Sequence, residues 1–208
     1  MVLKVDRRDF LRAAGAGAVG LAHATGSHRL AHAQEAGDKD VVQVKFDIAW
    51  LRGRWYFDPV GLYLKPGQKV RWLTQSFGGE SVTAFHPSND NHELRIPEKA
   101  KPFDSGFMLD RGLPGSTFEY LFEVEGTYDF YSRNHERLGA VGRIVVGAPG
   151  GPGEKPLGYG GSEGKSVIFR DVRKLLSWLT SEKIVREKIV PYPFELMELT
   201  YPVYDSHF

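Results

Sequence analysis

The sequence predicts a mainly β protein, an antiparallel β-sandwich that carries an α-helical C-terminal extension. Three observations predict it. Short runs rich in β-branched and aromatic residues recur, as in Val41–Trp50 (VVQVKFDIAW), Lys69–Thr74 (KVRWLT) and Thr117–Val124 (TFEYLFEV). Turn-forming pairs separate such runs, at Pro66-Gly67, Pro114-Gly115 and Glu125-Gly126. Past a Gly/Pro-rich stretch, the apolar spacing changes to that of a helix. About seven or eight strands over roughly 110 residues suit one sandwich domain. Periodicity alone does not separate this sandwich from an immunoglobulin-like one.

The N-terminal residues read as an address. Arg7-Arg8-Asp9-Phe10-Leu11-Arg12 is a twin-arginine pattern, Ala13–Ala24 is weakly apolar, and Ala31-His32-Ala33 offers a cleavage site. Residues 1–33 are therefore expected to be a Tat signal peptide, placing the mature protein in the periplasm or outside the cell. The plainer alternative is an amphipathic N-terminal helix. A membrane span would need about 20 strongly apolar residues, and no later stretch supplies them. The leader holds Lys4, Arg7, Arg8, Arg12 and Arg29 against Asp6 and Asp9, so its removal takes the formal charge from +1 to −2. That balance favours neither nucleic acid nor an anionic membrane. The 208 residues include no cysteine, which excludes disulfides, thiolate ligands and cysteine nucleophiles.

The sandwich domain is expected over 34–147. After a polar start, Val41–Trp50, Arg54–Asp58, Gly61–Leu64 and Lys69–Thr74 read as strands. Glu80–Phe85 is strand-like, and His86–Phe103 is a long excursion broken by Pro87, Pro97 and Pro102. Asp104–Leu109 reads as a short strand, followed by Thr117–Val124. Tyr128, Phe130 and Ile144–Val146 complete the set, with the loop Ser132–Gly139 projecting His135. Residues 148–166 read as a Gly/Pro-rich linker or a surface-hugging arm. In 167–208, Ile168, Phe169, Val172, Leu175, Leu176 and Leu179 fall at helical spacing. Thr180 or Ser181 caps a continuation, Pro191 stops it, and Pro191–Phe208 is extended. The helix either folds back on the sandwich or, with Tyr192, Phe194, Tyr201, Tyr204 and Phe208, forms a docking arm for a protein partner.

Several short motifs carry a family resemblance. Glu80–Pro87 (ESVTAFHP), Arg95-Ile96-Pro97, Pro102–Gly106 (PFDSG), Gly126–Asp129 (GTYD), Leu138-Gly139 and Val141–Val146 (VGRIVV) resemble plastocyanin- and halocyanin-like blue copper proteins, the cupredoxins. The resemblance covers about Val41 to Gly147 and implies a cupredoxin-like Greek-key sandwich. It also implies four metal-ligand places: Glu80 (histidine in the family), Ser132 (cysteine), His135 (histidine, retained) and Ala140 (methionine). A blue copper centre needs two imidazoles, a soft thiolate and a weak axial ligand. A serine hydroxyl is hard and neutral, and alanine offers no ligand, so the copper site reads as degenerate.

Three functions remain open from the sequence. The first is a metal-free binding, structural or accessory-subunit role, with Glu80 and His135 forming a charge-assisted pair where a metal would tie the two loops. The second is weakly bound non-blue Cu(II) or Zn(II) held by Glu80 and His135. The third is a copper electron carrier, disfavoured by the missing cysteine. His86 and His92 read as solvated or backbone-bonded loop histidines. No H-E-x-x-H, G-x-S-x-G or phosphate loop is present, and Ser132 lacks an oxyanion donor set, so the chain does not read as an enzyme.

Overall fold

The computed structural model describes residues 41–75, 79–109, 113, 116–160 and 168–197. The twin-arginine leader and residues 198–208 lie outside them.

Among the described residues, nine strands form two sheets. β1 (Val41–Ala49), β2 (Arg54–Asp58), β4 (Gln68–Thr74) and β6 (Thr117–Phe122) make one, in the order β2-β1-β4-β6. The other runs β5-β7-β8-β3-β9, with β3 (Gly61–Leu64), β5 (Thr83–Ala84), β7 (Gly126–Tyr131), β8 (Val141–Val146) and β9 (Ile189–Val190). Among the described residues, two α-helices lie between β8 and β9, α1 (Arg170–Trp178) and α2 (Ser181–Glu187).

The antiparallel expectation holds for five of the seven strand pairings; β1–β4 and β3–β8 are parallel. The cause is a change of sheet. The chain leaves the first sheet after β2, forms β3 in the second, and re-enters the first as β4 beside β1. Local patterning records strands but not which neighbour each finds.

The alternation in β4 follows from its position. Val70, Trp72 and Thr74 are buried, and the residues between them are half-buried. Phe46, Phe57, Trp72, Phe122, Tyr128 and Phe130 pack between the sheets. In contrast, every residue of β7 and β8 is buried. Tyr128, Phe130, Ile144 and Val146 face the inter-sheet core, whereas Tyr131, Val141 and Val145 face outward under the extension. There they meet Val172, Leu175, Leu176, Leu179 and Ile184. A sheet covered on both faces loses strict alternation. The approach is close, because a Cβ on Gly61 would lie 2.8 Å from Leu179 Cδ1.

The extension differs in detail from the expected helix. It breaks after Trp178; Thr180 Oγ1 then accepts the Lys183 N–H at 3.2 Å and caps α2. α2 ends at Lys188, whose φ is 66°, and not at Pro191. Ile189 and Val190 join the second sheet beside β3. Val172, Leu175, Leu176, Leu179, Ile184, Val190, Tyr192 and Met197 are buried against their own sandwich, whereas Ile189 is exposed, and Tyr201, Tyr204 and Phe208 of the arm considered for a partner lie outside the described residues.

The Gly/Pro-rich stretch lies on the sandwich as far as residue 160. Its turn Pro152–Glu154 buries Pro152 and Gly153, and the Gly153 carbonyl accepts from Arg95 Nη2 at 2.6 Å. Glu80–Phe85 is a strand only at Thr83–Ala84. Glu80–Met108 and Thr83–Asp104 form isolated bridges where the Asp104–Leu109 strand was expected.

Candidate functional site

Glu80 and the loop after β7 meet at one end of the sandwich. The loop is tight because its backbone closes on itself. Ser132 N–H donates to the Ala140 carbonyl at 2.9 Å, and Ala140 N–H donates to the His135 carbonyl at 3.1 Å. A short 3-10 turn, Glu136–Leu138, ends at Gly139 in the left-handed region, φ 82°. A Cβ there would lie 2.9 Å from Met197 Cε, so the loop packs against the extension.

Three of the four residues that the resemblance singles out, Glu80, Ser132 and His135, form one hydrogen-bonded group. Glu80 is fully buried, and its Oε2 accepts from Ser132 Oγ at 2.9 Å and from His135 Nδ1 at 2.9 Å. Ser132 Oγ also accepts the Ser81 N–H at 3.4 Å. Asn134 Nδ2 donates to the Gly79 carbonyl at 2.6 Å, a second tie between the same two segments. The His135 side chain keeps 19% of its surface exposed and stacks on Trp55, with ring centroids 4.2 Å apart and planes 5° from parallel. Glu80 Oε1 is buried without a hydrogen-bond partner. Ala140, the fourth place, is buried and contributes only its backbone.

This donor set does not fit a blue copper ion. The serine proton and imidazole Nδ1 are both directed at Glu80, and the alanine methyl offers no lone pair. Among the described residues, no group of three or more His, Asp or Glu side chains could hold a metal ion.

One buried ion pair braces the site loop, and a second charged cluster lies apart from it. Arg54 Nη1 donates to the Leu138 carbonyl at 2.8 Å and to Asp171 Oδ2 at 2.7 Å, joining β2, the loop and α1. Burial would raise the Asp171 carboxyl, but Arg54 outweighs it and holds it below the usual range. Deeper in the second sheet, Asp129 lies between Arg95 and Arg143, at 2.7 Å from each Nε. Burial again works to raise its carboxyl, and the charges of Arg143 and Arg95 prevail and hold it low.

His86 behaves as a loop histidine, its Nδ1 accepting the Ser88 N–H at 3.1 Å. His92 does not. Its Nε2 lies 2.9 Å from Glu136 Oε2, and its ring stacks on Tyr131 at 4.3 Å. Trp55, Arg54, Asp129 and Glu136 escaped the sequence reading because each meets its partner only through the fold. An aromatic residue on β2 was the only visible trace of Trp55.

The described residues form a two-sheet β-sandwich. No family model matches the chain. Among solved structures it is similar to pseudoazurin from Methylobacterium extorquens AM1, at 22% identity over 69% of this chain and 99% of that one, TM-score 0.48. It is also similar to a purple cupredoxin from Nitrosopumilus maritimus, at 22% identity over 51% and 99%, TM-score 0.37. Plastocyanin from Dryopteris crassirhizoma matches at 18% identity over 51% and 100%, TM-score 0.39. At such distances, the reading of the cupredoxin-like ligand places rests on the residues themselves.

Proposed function

We propose that this chain is an exported cupredoxin-like protein without a copper centre, with a binding, structural or accessory-subunit role and not an enzymatic one. The observation that carries the reading is the Glu80–Ser132–His135 group. Glu80 fills a histidine place, and the hydrogen bonds it accepts link the same two loops a metal would link. Charge-assisted hydrogen bonds of this kind contribute about 1.5–3 kcal/mol each. The twin-arginine leader supports action outside the cytoplasmic membrane.

A second reading has one observation in its favour. The unpartnered Glu80 Oε1 is a free donor beside His135 and could contribute to weak Cu(II) or Zn(II) binding. One experiment separates the readings: add Cu(II) and Zn(II) to the purified exported form and measure metal content, visible absorption and EPR. The first reading expects no stoichiometric metal. Retained metal that is lost in His135→Ala would establish the second. An intense band at about 600 nm would overturn both.

A further inference from the structure

We propose that residues 198–208 fold back as a strap over an apolar depression at the turn between β1 and β2. The strap does not depend on whether Glu80 and His135 hold a metal.

The depression is open and mostly apolar. Ala49, Leu51, Arg52 and Phe194 line it, and its volume is about 480 Å³. The Leu51 side chain projects entirely into water, and Arg52 is exposed. A single exposed leucine is ordinary. Here Leu51 adjoins a half-buried phenylalanine from a distant segment, which leaves a contiguous apolar surface uncovered.

The path of the chain names the occupant. Past β9, the backbone runs along β2 toward this turn. Tyr192 N–H donates to Asp58 Oδ1 at 3.0 Å. The Tyr192 and Phe194 rings pack on Tyr56, with centroids 4.8 and 4.9 Å away. Phe194 then reaches Arg52, whose guanidinium carbon lies 5.2 Å from the ring centroid. Contacts thus move from position 58 to 56 to 52 as the chain advances from 192 to 194. Met197 N–H donates to the Pro193 and Phe194 carbonyls at 3.1 and 3.2 Å, so one turn brings the chain back beside Phe194. Residue 198 therefore starts at the rim of the depression.

The sequence that follows suits the surface. Residues 198–208 (ELTYPVYDSHF) can span up to about 36 Å when extended. Leu199, Tyr201 and Val203 fall on one face of an extended chain, and Pro202 restricts Tyr201 to extended backbone. Glu198 and Asp205 complement Arg52, which forms no ion pair among the described residues. Tethering holds the segment at an effective concentration of about millimolar, which favours it over a second copy or a separate protein at ordinary dilution.

The chain has no cysteine, so Ser206→Cys places a single nitroxide label on the full chain. Amide NMR signals of residues 49–52 are expected to lose most of their intensity relative to the reduced label. Those of the 65–68 turn, which adjoins the far end of β1 about 26 Å away, are expected to keep theirs. Leu51→Asp with Arg52→Glu, both at exposed positions, should restore the lost intensity. Signals at 49–52 that ignore the label overturn the strap. So does broadening that persists in the double variant, as a freely moving tether would give. Broadening that also appears between labelled chains and separate isotope-enriched ones places a second copy in the depression and overturns it too. In the unlabelled chain, backbone order parameters of 199–204 are expected to approach those of β1, and values below about 0.6 overturn the strap even if the double variant fails to fold.

Discussion

The His135 ring lies flat on the Trp55 indole, 5° from parallel at a centroid distance of 4.2 Å, while its Nδ1 faces buried Glu80. Stacking from β2 and a hydrogen bond from the opposite loop together fix one imidazole. Trp55→Leu removes the stack and keeps an apolar side chain. It should cost about 1 kcal/mol in urea unfolding and increase exchange at the His135 amide. An unchanged midpoint would show that the loop is set by its backbone alone.

Glu80→Gln tests the tie between the two loops. The amide keeps the volume and removes the charge, so unfolding at pH 7 should lose about 1.5–3 kcal/mol. Unchanged stability would count against Glu80 and His135 acting as the strut in place of a metal.

Arg54 and Asp171 form a buried pair across β2 and α1, 2.7 Å apart. Arg54→Met leaves the Asp171 carboxylate with only the exposed Arg170, 3.3 Å away, and should cost about 3–5 kcal/mol. The double variant Arg54→Met/Asp171→Leu should recover most of it. A double-mutant cycle with no coupling would mean that the pair is energetically idle.

Acid stability should depend on Asp129. Its folded pKa is held below the ordinary value by Arg143 and Arg95 against the effect of burial. Its contribution is thus complete above about pH 4, the unfolded value, and is lost as pH falls through the lower folded value. Asp129→Asn leaves two buried guanidiniums without their shared anion and should cost about 3–5 kcal/mol at neutral pH. Urea midpoints followed downward in pH should fall for wild type and change less for the variant.

The parts of the fold that were legible in the sequence are those decided locally. β1, β4 and β6 have alternation that matches half-buried strands, and Thr180 caps α2 by bonding three residues ahead. The illegible parts depend on distant partners. Parallel pairing of β1 with β4 leaves no mark on either strand. β9 is two residues long and exists because β3 offers it an edge. At the site, motif comparison found Glu80, Ser132, His135 and Ala140. His92 read as an ordinary loop histidine because its partner Glu136 is 44 residues away. The Gly/Pro stretch read as a linker or a surface-hugging arm because composition does not choose between them; the contact that decides, the Gly153 carbonyl accepting from Arg95, comes from a distant loop.

The burial of β7 and β8 on both faces limits how this chain can be divided. A cut at Gly147 would bare Tyr131, Val141 and Val145 and strip their cover of leucine, isoleucine and valine side chains. The sandwich and its appendage share the second sheet between two apolar layers, so the smallest piece able to stand alone extends at least to Met197, whose own side chain closes the outer layer against the His135 loop.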